Sequence, residues 1–372
     1  MNKGMIIKFN FKVSILCVVL FLAPTLMFGQ IKKYSNEFLS LGIGARALAM
    51  GNCQVALASD VHSIYWNPAG LGLAENDLQF SMMHAEYFAG IAKYDFGGLV
   101  LPTKDERTFL GFGIIRFAID DIPNTLLLLE PDGSVNYDNV TSFSAADYAF
   151  VFSVARLSSS EGLRFGANFK TVHRQIGQFA NSWGFGLDGG LQLDRGQWKF
   201  GLMARDITTT FNAWSFNFTE EEKEVLAATE NLIPENSLEI TMPSIVIGAN
   251  YEYAFLEKYK LRPSVNLALT TDGKRNVLIS ADPFSIDPRF GLEFVYSDVV
   301  FVRGGVNNFQ RFTEDLTDKE VISVQPNFGL GLKIKSVNVD YAFTNVGGGL
   351  QNMYSHVFSL SVSINKQISS EE

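Results

Sequence analysis

The chain has 372 residues, of which 47% are hydrophobic, 13% aromatic and only 19% charged, with a formal net charge of -9 at pH 7. High apolar content with thinly spread charge excludes a disordered chain. An acidic sequence without a basic block excludes a nucleic-acid binder, whose phosphate contacts need clustered Lys and Arg. Two cysteines exclude a disulfide scaffold and a multi-cysteine metal centre.

Residues 1–29 read as an export signal. Lys3, Lys8 and Lys12 precede an apolar run from Val13 to Phe28, and Gly29 supplies the small residue at the break. The run is about 16 residues long, short of the roughly 20 that a spanning helix needs. Cys17 lies inside that run, so Cys53 is the only cysteine of the exported chain.

Residues 30–77 do not alternate. They are small and turn-rich, with the runs Leu41-Gly42-Ile43-Gly44-Ala45-Arg46-Ala47 and Tyr65-Trp66-Asn67-Pro68-Ala69-Gly70-Leu71. Gly42-x-Gly44-x-x-Ala47 with Asp60 imitates a dinucleotide fingerprint. No strand precedes it and no βαβ unit follows, so close backbone packing is the better reading.

From residue 78 onward the pattern has period two. Phe358, Leu360, Val362 and Ile364 oppose Ser359, Ser361 and Ser363. Leu163, Phe165, Ala167 and Phe169 oppose Arg164, Asn168 and Lys170. Such alternation predicts strands near 78–86, 91–101, 107–118, 144–157, 163–175, 183–194, 197–206, 243–254, 260–271, 288–297, 300–308, 323–335, 337–345 and 355–365. Fourteen is even, and long connections (120–143, 176–182, 207–242, 272–287, 309–322 and 346–354) alternate with tight turns. Together with strand lengths near ten residues, this predicts an all-β fold: a 14-stranded antiparallel transmembrane barrel over 78–366, its tight turns periplasmic, with a periplasmic tail at 367–372. A barrel that wide leaves room inside, and residues 30–77 are expected to fill it as a plug, or hatch. Thr219-Glu220-Glu221-Glu222 has capping-box spacing and predicts a short helix in the longest loop.

A charge facing lipid at mid-bilayer costs roughly 2–4 kcal/mol. Arg116, Arg164, Lys170, Asp188, Lys199, Arg205, Glu252, Glu293, Arg303 and Asp340 are therefore expected to face the lumen. The expectation is a network of ion pairs tying plug to wall, with Arg46 as a natural partner for a lumenal acid. In the plug, Gly44, Arg46, Gly51 and the turn tetrad Asn67, Pro68, Ala69 and Gly70 are the candidate residues. The four histidines have no ligand spacing and nothing singles out a nucleophile, so neither a metal, a cofactor nor an enzyme is expected.

The runs Gly44–Gly51, Ala56–Asp60 and Tyr65–Gly70 resemble the PorV/PorQ family of outer-membrane proteins associated with type IX secretion in Bacteroidota. The Asn-Pro-Ala element also resembles the FadL fatty-acid barrels. Gly291-Leu292-Glu293-Phe294-Val295-Tyr296, Val302-Arg303-Gly304-Gly305 and Val339-Asp340-Tyr341-Ala342-Phe343 are similar to late strands of the first family. That resemblance implies a partner in protein secretion, not its conduit, that binds a translocon barrel or the C-terminal signal domains of cargo through its long loops. The FadL likeness implies the alternative, a transporter of hydrophobic small molecules, with an apolar pocket between plug and wall and a kinked strand that opens sideways. Both place the chain in a Gram-negative outer membrane, surrounded by its lipid.

Overall fold

The alternating segments pair edge to edge until the last meets the first. The structure, a computed structural model, describes residues 35–74, 78–105, 107–130, 133–313, 320–345 and 354–364. The expected signal peptide, its cleavage site and the terminal tail lie outside the described residues.

The wall begins with Leu78–Tyr87, Ala92–Pro102, Thr108–Asn124, Thr141–Leu157, Leu163–Ile176 and Ala180–Arg195. The seventh strand comes in two pieces, Trp198–Arg205 and Thr210–Phe216. The eighth comes in three, Ser237–Thr241, Ser244–Tyr251 and Tyr253–Phe255. Tyr259–Thr270, Ser285–Tyr296, Val300–Thr313, Glu320–Ile334, Val337–Asn345 and Tyr354–Ile364 complete it. Neighbours pair antiparallel, and Leu78 opposite Ile364 closes a barrel of fourteen strands among the described residues. Closure leaves no unpaired strand edge, which a bilayer demands because lipid offers no hydrogen bonds.

Period two then sorts the side chains. Phe152, Phe169, Phe185, Leu267, Leu292, Phe328 and Phe358 stand exposed on the outer surface. Asn168, Gln192, Asn250, Asn266 and Asn327 are buried inside. Aromatic side chains ring both ends of the outer face: Trp198, Tyr251, Tyr259 and Tyr296 at the short-turn end, and Tyr148, His173, Trp183, Tyr341 and Tyr354 at the long-loop end. An apolar band between two aromatic girdles is the outer face of a membrane barrel.

Three expectations need correction. Arg116 does not face the lumen. It sits opposite Tyr148 on the outer face and pairs with Asp95 (3.2 Å), which also holds His84 (2.7 Å). It lies level with the outer girdle, away from mid-bilayer, where charge is tolerated. The connection expected at 176–182 is a tight turn between Ile176 and Ala180. Part of the loop expected at 207–242 is wall, since Thr210–Phe216 and Ser237–Thr241 pair with each other. Between them lies the helix Glu220–Ala228. Its capping box is formed: the Glu222 N–H donates to Thr219 Oγ1 (3.2 Å), and the Thr219 N–H donates to Glu222 Oε2 (2.8 Å).

The inner face is also not uniformly polar. Tyr94, Phe96, Ile115, Val151 and Val172 on the second to fifth strands point inward and are buried. They form one cluster with Val61, Ile64, Trp66 and Leu71 of the N-terminal segment. These strands bury apolar residues on the inside because their partner there is protein, not water.

Candidate functional site

Residues 35–74 lie inside the wall as short helices and turns. Their first docking point is the tetrad at 67–70. Asn67 is extended and caps the 3-10 helix Pro68–Leu73, with Pro68 in its first turn. Its side-chain oxygen accepts from the Ala69 N–H (3.2 Å). Its Nδ2 donates to the carbonyls of Val55 (2.9 Å) and of Leu191 on the sixth strand (3.0 Å). The wall meets this turn with Gly166 and Gly190. A Cβ at Gly166 would overlap the Pro68–Ala69 peptide, and one at Gly190 would overlap the Asn67 side chain. Gly70 is confined in the same way by the Ala58 carbonyl.

The second docking point is the helix Ala45–Ala49 and the turn after it. Gly51 has φ +60° and lies against the backbone of Phe290 and Val306. Gly291, Gly305 and Gly329 on the tenth to twelfth strands make room for Ala49, Met50 and Gly51. Gly44, at φ +82°, begins the helix with no space for a side chain, because the His62 ring fills it. The Ala45 N–H donates to Ser359 Oγ (2.8 Å).

This helix delivers Arg46 to a charge network. Glu293, fully enclosed, accepts two bonds from Arg46 (3.0 and 2.9 Å), one from Arg262 (3.0 Å) and one from Arg303 (2.6 Å). Arg303 also binds Asp340 (2.6 Å), and Arg262 binds Glu252 (2.7 Å). Three guanidiniums face three carboxylates here, and only one of the six groups comes from the plug. Elsewhere Arg164 pairs with Asp194 (2.9 Å), and Lys170 with Asp188 (2.8 Å) and Asp206 (2.6 Å). Lys199 lines the short-turn mouth. Arg205 lies 4.2 Å above the Tyr65 ring and donates to the Tyr65 carbonyl (3.2 Å). Of the wall charges expected at the lumen, Arg164, Lys170, Asp188, Glu293, Arg303 and Asp340 are buried within the barrel.

A further tie was not legible in the sequence. His62 Nδ1 meets Asp60 Oδ1 (3.2 Å), and its Nε2 meets Ser81 Oγ (3.1 Å) on the first strand. The three residue types are those of a nucleophile relay. Ser81, however, is wholly enclosed, and its hydroxyl is shared with the Leu360 carbonyl and Ser361 Oγ. The arrangement therefore links plug to the first and last strands. Burial by itself would raise the Asp60 pKa and lower that of His62. Their mutual charge overrides it, holding Asp60 at about 2 and His62 above the ordinary imidazole value. The sign follows from linkage. The Asp60 contribution is present above the ordinary carboxylate value of 3.8 and lost as pH falls towards about 2. The His62 contribution is complete below 6.5 and lost as pH rises through its raised value. Plug docking, read as protection of residues 35–74 from added protease, is expected to be strongest between these limits and to loosen on either side. Asp60→Asn should flatten both limbs; an unchanged pH profile would refute the assignment.

Among the described residues, a chamber lies at each end of the plug. The one at the short-turn end is about 530 Å³ and polar, lined among others by Arg46, Lys199, Lys260, Arg262, Arg303 and Asp340. The one at the long-loop end is about 140 Å³ and two-faced. Ile64, Tyr65, Ile115 and Val151 form one side, and Lys170, Asp188, Arg205 and Asp206 form the other. It abuts a flaw in the wall. Between Arg205 and Thr210 the seventh strand bulges, with Asp206 and Thr209 at positive φ, and Met242-Pro243 interrupts the eighth at the same level. Pro lacks the N–H that a ladder needs, which marks that break in the sequence. Asp206 and Met242, one from each break, both line the chamber.

No protein-family model matches the chain, and no curated protein sequence matches it. Solved structures do. A structure described as the CymD monoaromatic hydrocarbon channel superposes with a TM-score of 0.56 at 13% identity, over 88% of this chain and 98% of that one. The toluene transporter TbuX of Ralstonia pickettii gives 0.53 at 14% identity, over 87% and 99%. A FadL homologue of Pseudomonas aeruginosa gives 0.50 at 10% identity, over 86% and 97%. At these identities the likeness establishes the fold: a FadL-like fourteen-strand barrel with an N-terminal segment. It also corrects the expected role. The barrels that this chain resembles are described as hydrocarbon channels and transporters, not as parts of a secretion machine, and nothing in them supports the PorV/PorQ assignment. The Asn-Pro-Ala and late-strand motifs that suggested it are plug-docking and wall positions, which a FadL-like barrel also needs.

Proposed function

We propose that this chain is an outer-membrane transporter for small hydrophobic molecules, with residues 35–74 as the hatch across its lumen. The observation that carries the reading is the ring-sized outer chamber, placed where the apolar half of the lumen meets the interrupted seventh and eighth strands. An apolar solute has no reason to cross a polar vestibule from water. A break in the wall at 206–209 and 242–243 offers it a path from the lipid side, and the apolar second to fifth strands offer it somewhere to go. The fold likeness to hydrocarbon channels supports the same reading. The short-turn chamber is then the periplasmic exit.

Uptake of radiolabelled toluene by cells that express the protein, against cells that lack it, tests the proposal directly; equal rates would reject it. Ser244 lines the outer chamber beside the break. Ser244→Trp should fill that space and lower uptake roughly tenfold, equivalent to about 1.4 kcal/mol. The barrel should keep its heat-modifiable migration on gels.

A further inference from the structure

Resting on the transport reading, we propose that the outer chamber selects a neutral molecule of about one aromatic ring that carries a hydrogen-bonding oxygen, and that Arg205 is the residue that reads this oxygen. Size comes first. A cavity of about 150 Å³ is what an engineered protein site needs to hold benzene, and the chamber measures about 140 Å³. A single ring against Ile64, Ile115 and Val151 matches that volume.

Polarity comes next. Arg205 is the exception among the lumenal arginines. Arg46, Arg164, Arg174, Arg262, Arg289 and Arg303 each hold a carboxylate. Arg205 has no carboxylate within 4.0 Å among the described residues; its hydrogen bond goes to the Tyr65 carbonyl, and its Nε is buried without a partner. Thr270 lines the same chamber, and its hydroxyl is likewise buried without a partner. A purely hydrocarbon occupant would offer the Arg205 guanidinium, which lines the chamber without a carboxylate, no acceptor at all. An oxygen on the occupant supplies one.

Charge settles which oxygen. Lys170, Arg205 and Arg275 line the chamber together with Glu37, Asp188, Asp206 and Asp272. Three cations already face four carboxylates, and Lys170 and Arg275 are held by theirs. A further carboxylate would be buried among an excess of its own sign, which disfavours an anion. A hydroxyl carries no such penalty, and it can donate as well as accept.

Phenol, toluene and benzoate, close to one another in size, are therefore the probes, measured by equilibrium dialysis against the purified full-length barrel at pH 7. Phenol is expected to bind about tenfold more tightly than toluene, and benzoate more weakly than either. Arg205→Met should bring the phenol affinity down to the level of toluene in the same variant. Arg205→Lys, which keeps a cation at the chamber, should retain part of the preference and is the check if the methionine variant does not fold. Phenol no tighter than toluene, benzoate the tightest of the three, or a preference that survives in Arg205→Met would each overturn the inference. Toluene transported without any preference for phenol would sink this inference alone, whereas none of the probes bound or transported would sink the transport reading beneath it.

Discussion

Replacing Glu293 by Ala is expected to weaken the docked plug by about 3–5 kcal/mol, the cost of removing one partner from a buried ion pair. The size follows from what is left behind. Arg262 keeps Glu252 and Arg303 keeps Asp340, but Arg46 loses the only carboxylate that it contacts among the described residues. An unpaired guanidinium on the plug would then face two on the wall. The plug should leave its site before the wall unfolds, because the ladder itself does not depend on these side chains. Protease cleavage within residues 35–74, with the heat-modifiable barrel band retained, is the expected pattern. Glu293→Gln keeps the shape and one acceptor and should cost less. A double-mutant cycle with Arg46→Met should give a coupling within the 0.5–3 kcal/mol range of residues in contact. Wild-type protection in Glu293→Ala would mean that the network is incidental to docking.

Gly166→Val is expected to open the pore. The glycine has no side chain because the Pro68–Ala69 peptide lies against it, and Gly190 treats the Asn67 side chain in the same way. The obstacle at Gly166 includes backbone on a turn held by Asn67 to Val55 and Leu191, so it cannot swing aside as a flexible side chain would. Overpacking of this kind typically costs about 1–3 kcal/mol, and a branched side chain against backbone falls at or above the upper end. The wall pays none of it, since valine is favoured in strands. The variant should assemble as a barrel with a displaced plug. In planar bilayers it should conduct in steps that the wild type lacks, and cells that carry it should become sensitive to large polar antibiotics. Gly97→Val, on the second strand with open space around its Cβ position, is the matched control and should change nothing. Silent bilayers with Gly166→Val would show that the plug can yield at this point without being released.

The two predictions divide according to what a linear pattern can carry. Arg46 and Glu293 were both legible as candidates, one in a non-alternating segment and one on a polar strand face. Their pairing was not, because 247 residues separate them and only the register of the tenth strand brings them together. The glycines at 166, 190, 291 and 305 left a signal in the alternation, as inward positions without side chains. What they accommodate became visible only when residues 45–51 and 67–70 lay against them. Arg116 was misread for the complementary reason: its residue type signalled a lumenal charge, but its depth in the membrane is set by where the second and third strands end.

The sequence by itself determined the class of the molecule: strands of membrane length, an even count, an apolar outer face, tight turns opposite longer connections, and a separate N-terminal segment. These are local properties, because side-chain direction in a strand repeats every two residues whatever the strand pairs with. Only the tertiary structure decided how the lumen is used. It made the inside of the second to fifth strands apolar against the plug, gathered three arginines on one carboxylate, left Arg205 without one, and set two strand breaks at the same height beside a cavity. Each of these depends on which strands become neighbours when the barrel closes, and closure is a long-range event on which a period of two carries no information.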